Sequence, residues 1–216
     1  MGMRAPRWNG SPMVKMQERG AESLTSIELL AIVTGANKDA DMDSLRTLVS
    51  EAGGVRNLVY AQADKLSPAK WRRVHAALEL ARRCLFEELQ QRRSLTSPRD
   101  SAAYLKAQLG HLPHEVFACL FLDNRHRVIA FEQMFRGTLD GASVHPREVV
   151  RAALNHNAAA VIFGHNHPSG VAEPSAADRN ITHQLRDALA LIGVRVLDHL
   201  VVGAAEPTSM AARGLI

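Results

Sequence analysis

The chain has 216 residues, of which 46% are hydrophobic and 22% charged; that profile fits one large or two small globular domains and excludes a disordered chain. Its longest apolar runs, Val116 to Leu122 and Ala158 to Phe163, fall far short of the roughly 20 residues that cross a bilayer. The net charge of +4 is uneven: residues 1 to 93 carry 15 Lys/Arg against 11 Asp/Glu, residues 94 to 216 carry 11 against 11, and nine of the ten histidines fall between 111 and 199.

Met1 to Pro12 has no apolar h-region, so no secretory signal is expected. Residues 1 to about 16 lack apolar periodicity and are expected to fray. With no signal and only Cys84 and Cys119, the chain reads as a cytoplasmic protein with reduced thiols. Thr25-Ser26-Ile27-Glu28 is a capping-box pattern opening a helix over Ile27 to Val33, with Gly35 as its stop. Helices follow over Met42 to Ala52, closed by Gly53-Gly54, and over Val55 to Gln62. Ser67-Pro68 supplies an N-cap and a first-turn proline for a long helix to about Gln91, with Trp71, Val74, Leu78, Ala81 and Leu85 along its apolar stripe. Nothing up to here has the period of a strand, so residues 1–94 are expected to form a small all-helical domain.

Gln91 to Ser97 is polar and reads as a linker, and Ser97-Pro98 opens a helix to about Leu109. The period then changes. Val116 to Leu122 and Arg127 to Arg136 are expected strands around the turn Asp123-Asn124-Arg125-His126. Pro146 to Asn155 is a helix, Ala158 to Gly164 a buried strand, Ser175 to Leu191 a helix and Val194 to Val202 a last strand. Alternating strands and helices predict an α/β domain over 95–216, a mixed sheet flanked by helices.

The chemistry concentrates in Gly164-His165-Asn166-His167-Pro168-Ser169-Gly170 and the helix after it. Residues i and i+2 of an extended chain point the same way, so His165 and His167 present both imidazoles to one point. Asp178 shares a helical stripe with Ile181, Leu185, Leu189 and Ile192, and a carboxylate on a buried face is costly unless paired or bound to a cation. Two imidazoles and one carboxylate leave a fourth position open, as a catalytic zinc requires. Ser175 caps the same helix, three residues before Asp178.

The spacing His165-x-His167, seven residues, Ser175, two residues, Asp178 resembles the JAMM (MPN+) metalloprotease motif. Phe135-Arg136-Gly137-Thr138, Pro146-Arg147-Glu148-Val149-Val150, His165 to Gly170 and Asp198-His199 are similar to the bacterial RadC family, and the resemblance runs from about Glu18 to the C-terminus. It implies a JAMM/MPN-like domain, with the layout of cytidine deaminases, behind an N-terminal helix-hairpin-helix-like domain. It also implies a zinc-dependent hydrolase of peptide or isopeptide bonds. In that scheme His165, His167 and Asp178 hold zinc, a glutamate outside this segment is the general base, and Ser175 stabilises the oxyanion. Glu115, directly before a strand, stands where the family places the base and is the first candidate; Glu132, within a strand, is the second, and Glu148 already has a place at a helix N-terminus. His199 reads as a structural hydrogen-bonding histidine or as an outer partner of the metal site, and His145 as structural.

Two other metal chemistries compete with this reading. A zinc deaminase needs a Pro-Cys-x-x-Cys pair that this chain lacks, and two-metal phosphodiesterases commonly use more carboxylates than the one here. The alternative from another class is a DNA-binding, repair-associated accessory protein with a structural or idle metal site, in line with the DNA repair label given to the RadC family. A helix-hairpin-helix binds phosphates through backbone N–H groups at a Gly-rich hairpin, and Lys65-Leu66-Ser67-Pro68-Ala69-Lys70 has no glycine. Lys70, Arg72 and Arg73 would supply the positive charge. The expected partner is a protein or peptide substrate, with DNA as the weaker expectation and no membrane.

Overall fold

The computed structural model describes residues 11–36, 39–60, 63–91, 98–137 and 144–216. The chain divides into two compact units, Met1–Leu80 and Ala81–Ile216. The expected linker beyond Gln91, the cap Ser97, the first ten residues and Thr138 lie outside the described residues.

The described residues of the first unit form helices only: α1 (Pro12–Arg19), α2 (Ser26–Thr34), α3 (Asp39–Glu51), α4 (Val55–Tyr60) and the first turns of α5 (Pro68–Gln91), with 3-10 turns at Ala21–Ser23 and Ala63–Lys65. α1 departs from the expected fraying. Ser11 caps it and Pro12 occupies its first turn, and Lys15 pairs with Glu28 of α2 at 2.9 Å. α2 has the capping box its sequence predicts: the Thr25 hydroxyl accepts the Glu28 N–H at 3.3 Å and the Glu28 carboxylate accepts the Thr25 N–H at 2.7 Å. It stops at Gly35, left-handed at φ 73. A β-carbon on Gly35 would stand 2.7 Å from Arg73 Nη1, so glycine also leaves room for the Arg73 guanidinium to donate to Thr34 O at 2.9 Å. Leu30, Leu45, Leu58, Leu66 and Val74 fill the core between these helices.

Burial pushes the Glu28 carboxyl up, but the Thr25 N–H and the Lys15 ammonium outweigh it and hold its pKa below the ordinary value of 4.5. A lowered folded pKa adds stability that is complete above the unfolded value and is lost as pH falls through the folded one. Thr25→Ala is therefore expected to cost the helical unit about 1 kcal/mol. The stability gap between wild type and Glu28→Gln should be widest near neutrality and narrow as pH falls through the lowered folded pKa of Glu28, as read by urea melts followed by circular dichroism.

The second unit begins with the last turns of α5 and continues through α6 (Pro98–Leu109), β1 (Val116–Leu122), β2 (Val128–Arg136), α7 (Pro146–Asn155), β3 (Ala160–Asn166), α8 (Ala176–Ala190), β4 (Arg195–Val202) and β5 (Thr208–Ser209). The sheet order is β2-β1-β3-β4-β5; β3 and β4 are parallel and the other neighbours antiparallel. This is the mixed sheet flanked by helices that the sequence predicts. β1 is buried along its whole length because helices cover both faces, which is why it reads as a continuous apolar run. Val116, Ala118, Leu120 and Leu122 pack with Leu105 and Leu109 of α6. Phe117, Cys119 and Phe121 face the other way, onto Val149 and Ala153 of α7 and Leu185 and Leu189 of α8. A β-carbon on Gly164 would lie 2.8 Å from Leu105 Cδ1, so α6 lies directly on β3 there.

Leu85 and Phe86 pack on the α6 face, Phe86 with its ring 5.4 Å from that of Tyr104. The last turns of α5 thus belong with the sheet, and the units divide inside the helix, ahead of the boundary near residue 94 that composition suggests. β3 starts two residues later than expected because Ala158 still closes α7: its N–H donates to Ala153 O at 2.9 Å, after Asn157 at φ 49. The strand then runs on through His165, which pairs with Phe117 on β1 and Val201 on β4. Both cysteines are free thiols; Cys84 is exposed and Cys119 buried, and burial with the nearby Glu132 carboxylate pushes the Cys119 thiol up. No helix among the described residues is long and apolar enough to cross a membrane.

Candidate metal centre

On the α7/α8 face of the sheet, β3 carries Val161, Phe163 and His165 in alternate positions, and His167 continues the series one residue past the strand. The His167 N–H donates to Val202 O at 2.9 Å, so the extended backbone holds to that point. His165 is buried, its side chain 2% exposed, while His167 at 19% and Asp178 at 13% border solvent. The two Nε2 atoms lie 2.9 Å apart. Asp178 Oδ1 is 3.2 Å from His165 Nε2 and Asp178 Oδ2 is 3.6 Å from His167 Nε2. Among the described residues this is the one group of three such side chains whose ligand atoms all lie within 4.8 Å of one another.

The partners of the far ring nitrogens settle the tautomers. His167 Nδ1 lies 2.8 Å from Val171 O; a carbonyl only accepts, so Nδ1 carries the proton. The Thr182 hydroxyl donates to Asp178 O at 2.5 Å and therefore accepts from His199 Nδ1 at 2.6 Å. That leaves His199 Nε2 as the acceptor for His165 Nδ1–H at 2.8 Å. Both Nε2 lone pairs then face the same point. His199 is fully buried, and burial holds its pKa well below the ordinary value, so it stays neutral in this relay.

Asp178 is delivered by the first turn of α8. Ser175 is its N-cap: the Ser175 hydroxyl accepts the Asp178 N–H at 3.1 Å and donates to Asp178 Oδ2 at 2.6 Å, and the Ser175 N–H donates to the same oxygen at 2.7 Å. Oδ2 is thereby occupied and Oδ1 is turned to His165. Two imidazole lone pairs facing one another at 2.9 Å, with a carboxylate beside them, repel unless a proton or a metal cation lies between. Tetrahedral zinc, with ligands at about 2.0–2.1 Å, spaces its donor atoms by ~3.3 Å, so the donor set and its spacing fit such an ion. The arrangement could hold a divalent metal with protein ligands on one side and the cleft on the other.

That cleft has a volume of about 450 Å³ and is lined by Pro113, His114, Glu115, Gly137 and His167 to Ser169. The structure thus brings Glu115 to the same cleft as His167. Glu132 is elsewhere, paired with Cys119 in the ladder and engaged by His156 Nε2 at 2.6 Å. Glu148 pairs with Arg151 on α7. His145 is an exposed residue before α7 whose ring meets Phe135 edge-on. Lys70 and Arg72 lie on α5 in the other unit, where Arg73 caps α2.

Sequence reading missed three contributors. Thr182 and Asn166 carry no motif signal of their own. His114, whose Nε2 accepts from Arg136 Nε at 2.5 Å, is held below its ordinary pKa by burial and by the Arg136 charge. Its place next to Glu115 was the only available hint.

Residues 95–215 match the family model described as a RadC-like JAB domain. UPF0758 protein Tgr7_0100 of Thioalkalivibrio sulfidiphilus is 55% identical over 213 residues, covering 95% of each chain. UPF0758 proteins of Stutzerimonas stutzeri, at 54% over 211 residues and 94% of each chain, and of Azotobacter vinelandii, at 52% over 213 residues and 94% of each chain, are similar along the same length.

Proposed function

We propose that this chain, which belongs to the RadC family and carries its RadC-like JAB domain, is a zinc-dependent hydrolase of peptide or isopeptide bonds. The observation that carries the reading is the pair of Nε2 lone pairs turned to one point beside Asp178 Oδ1, each held there by a fixed Nδ1 partner. Such outer partners orient metal-bound histidines.

His165, His167 and Asp178 would hold the zinc. Bound there, zinc would lower the pKa of a water molecule towards about 7 and polarise a carbonyl oxygen. Glu115, which lines the same cleft as His167, takes the proton of the attacking water and returns it to the leaving amine. Ser175 serves the oxyanion by exchanging its present acceptor, Asp178 Oδ2, for the substrate oxygen. The His199–Thr182 relay keeps His165 in the one tautomer that leaves Nε2 free. The substrate is a protein or peptide, and the cleft lined by Pro113, His114 and Gly137 is where its chain would run.

A panel of linear and lysine-ε-linked peptide amides tests the proposal. Cleavage is expected with zinc-loaded protein, lost on chelation and restored by zinc. Cleavage that survives chelation would overturn it. So would a protein that cleaves no amide and instead shifts duplex DNA with a steep salt slope, the mark of phosphate contacts.

A further inference from the structure

Asn166 stands between the two histidines in sequence, yet its side chain points the other way across the strand. It is 2% exposed, and it is fully engaged by one short segment. Its Oδ1 accepts the Val116 N–H at 2.9 Å, and its Nδ2 donates to His114 O at 3.0 Å and Leu112 O at 3.3 Å. The amide orientation is dictated by these partners. Val116 N–H can only donate and the two carbonyls can only accept, so the flipped amide would break all three bonds.

The three bonds flank Glu115 on both sides. The β1–β3 ladder ends at Phe117 and His165, and beyond it the Asn166 side chain takes over from the backbone. On the far side the Glu115 carbonyl accepts the Gly137 N–H at 2.8 Å. The peptide groups before and after Glu115 are therefore tied to β3, and its own carbonyl to the end of β2. Aspartate would set oxygens against two carbonyls, and a hydroxyl would supply one donor for two acceptors.

We infer that Asn166 is the positioning residue that sets Glu115 against the metal centre, by tying the Leu112–Val116 segment to the strand that carries both histidine ligands. This inference rests on the reading of Glu115 as the base. A misplacement of about 1 Å at a catalytic group costs on the order of 100-fold in rate, which gives such a clamp its purpose.

The test uses the full-length protein and needs no substrate. Zinc content, amide exchange at Val116, and the pH midpoint of the visible spectrum of the cobalt(II)-loaded protein are measured for wild type, Glu115→Gln, Asn166→Ala and the double variant. Asn166→Ser, which keeps one of the three bonds, is run beside them in case alanine unfolds the loop. Asn166→Ala is expected to keep its metal and to raise Val116 exchange at least about tenfold. It should also shift the cobalt midpoint in the direction that Glu115→Gln shifts it, on the order of one pH unit. The double variant should shift no further than Glu115→Gln alone, because both changes remove one interaction. An Asn166→Ala midpoint that stays at the wild-type value, or a shift that simply adds to that of Glu115→Gln, overturns the inference alone. A Glu115→Gln midpoint that does not move overturns the base assignment and this inference with it. Loss of metal in both Asn166→Ala and Asn166→Ser would make the residue a structural member of the site and also overturn it.

Discussion

Replacing both His165 and His167 with alanine is expected to reduce bound zinc from about one per chain to less than about 0.1. Each imidazole presents an Nε2 lone pair that no other side chain in reach can replace, and the remaining ligand, Asp178, already spends Oδ2 on the Ser175 N–H and hydroxyl. A single carboxylate oxygen does not hold zinc against buffer. The folded protein alone has this site, so the loss should also appear as stability: free zinc at a thousand times its Kd is worth about 4 kcal/mol to the wild type and nothing to the double variant. Thermal melts with and without chelator read this directly. A double variant that still melts higher with zinc would place the metal elsewhere.

Glu115→Gln is expected to keep zinc and lose hydrolysis by a factor on the order of 10² to 10⁴. Glutamine keeps the size and the hydrogen bonding of the side chain and removes only its basicity, and Glu115 is not among the residues whose ligand atoms converge on the centre. Glu132→Gln should leave the rate unchanged. Its carboxylate is 2.6 Å from His156 Nε2, and its backbone pairs with Cys119 in the ladder, two residues along β1 from the Phe117–His165 pair that marks the site. The reverse pattern, full activity in Glu115→Gln and loss in Glu132→Gln, would move the base to Glu132.

What the sequence shows of this molecule is what short-range patterns encode. The α2 capping box, the Pro146–Asn155 helix and the β1 run need only neighbouring residues to be recognised, and the structure has each of them. The histidine pair and Asp178 are legible for the same reason: a strand period of two and a helical stripe each speak for themselves. α1 was hidden because only its Ser-Pro start marks it, and its Lys15–Glu28 pair spans two helices. β5 is two residues long, too short to show any period. Asn166 lay beyond reach for a different reason: its partner Val116 is 50 positions away, and nothing local distinguishes a clamp from a spacer. Arg73 reads as a charge on an exposed helix, but it meets the end of α2 at Thr34, 39 positions away.

The most direct test of the central claim is anomalous diffraction at the zinc absorption edge from crystals of the zinc-loaded protein. The account predicts one strong peak per chain, within about 2.0–2.2 Å of His165 Nε2, His167 Nε2 and a carboxylate oxygen of Asp178, open towards the cleft that holds Glu115. A peak at other residues, or one bound through the Nδ1 atoms that now face Val171 and His199, would contradict it.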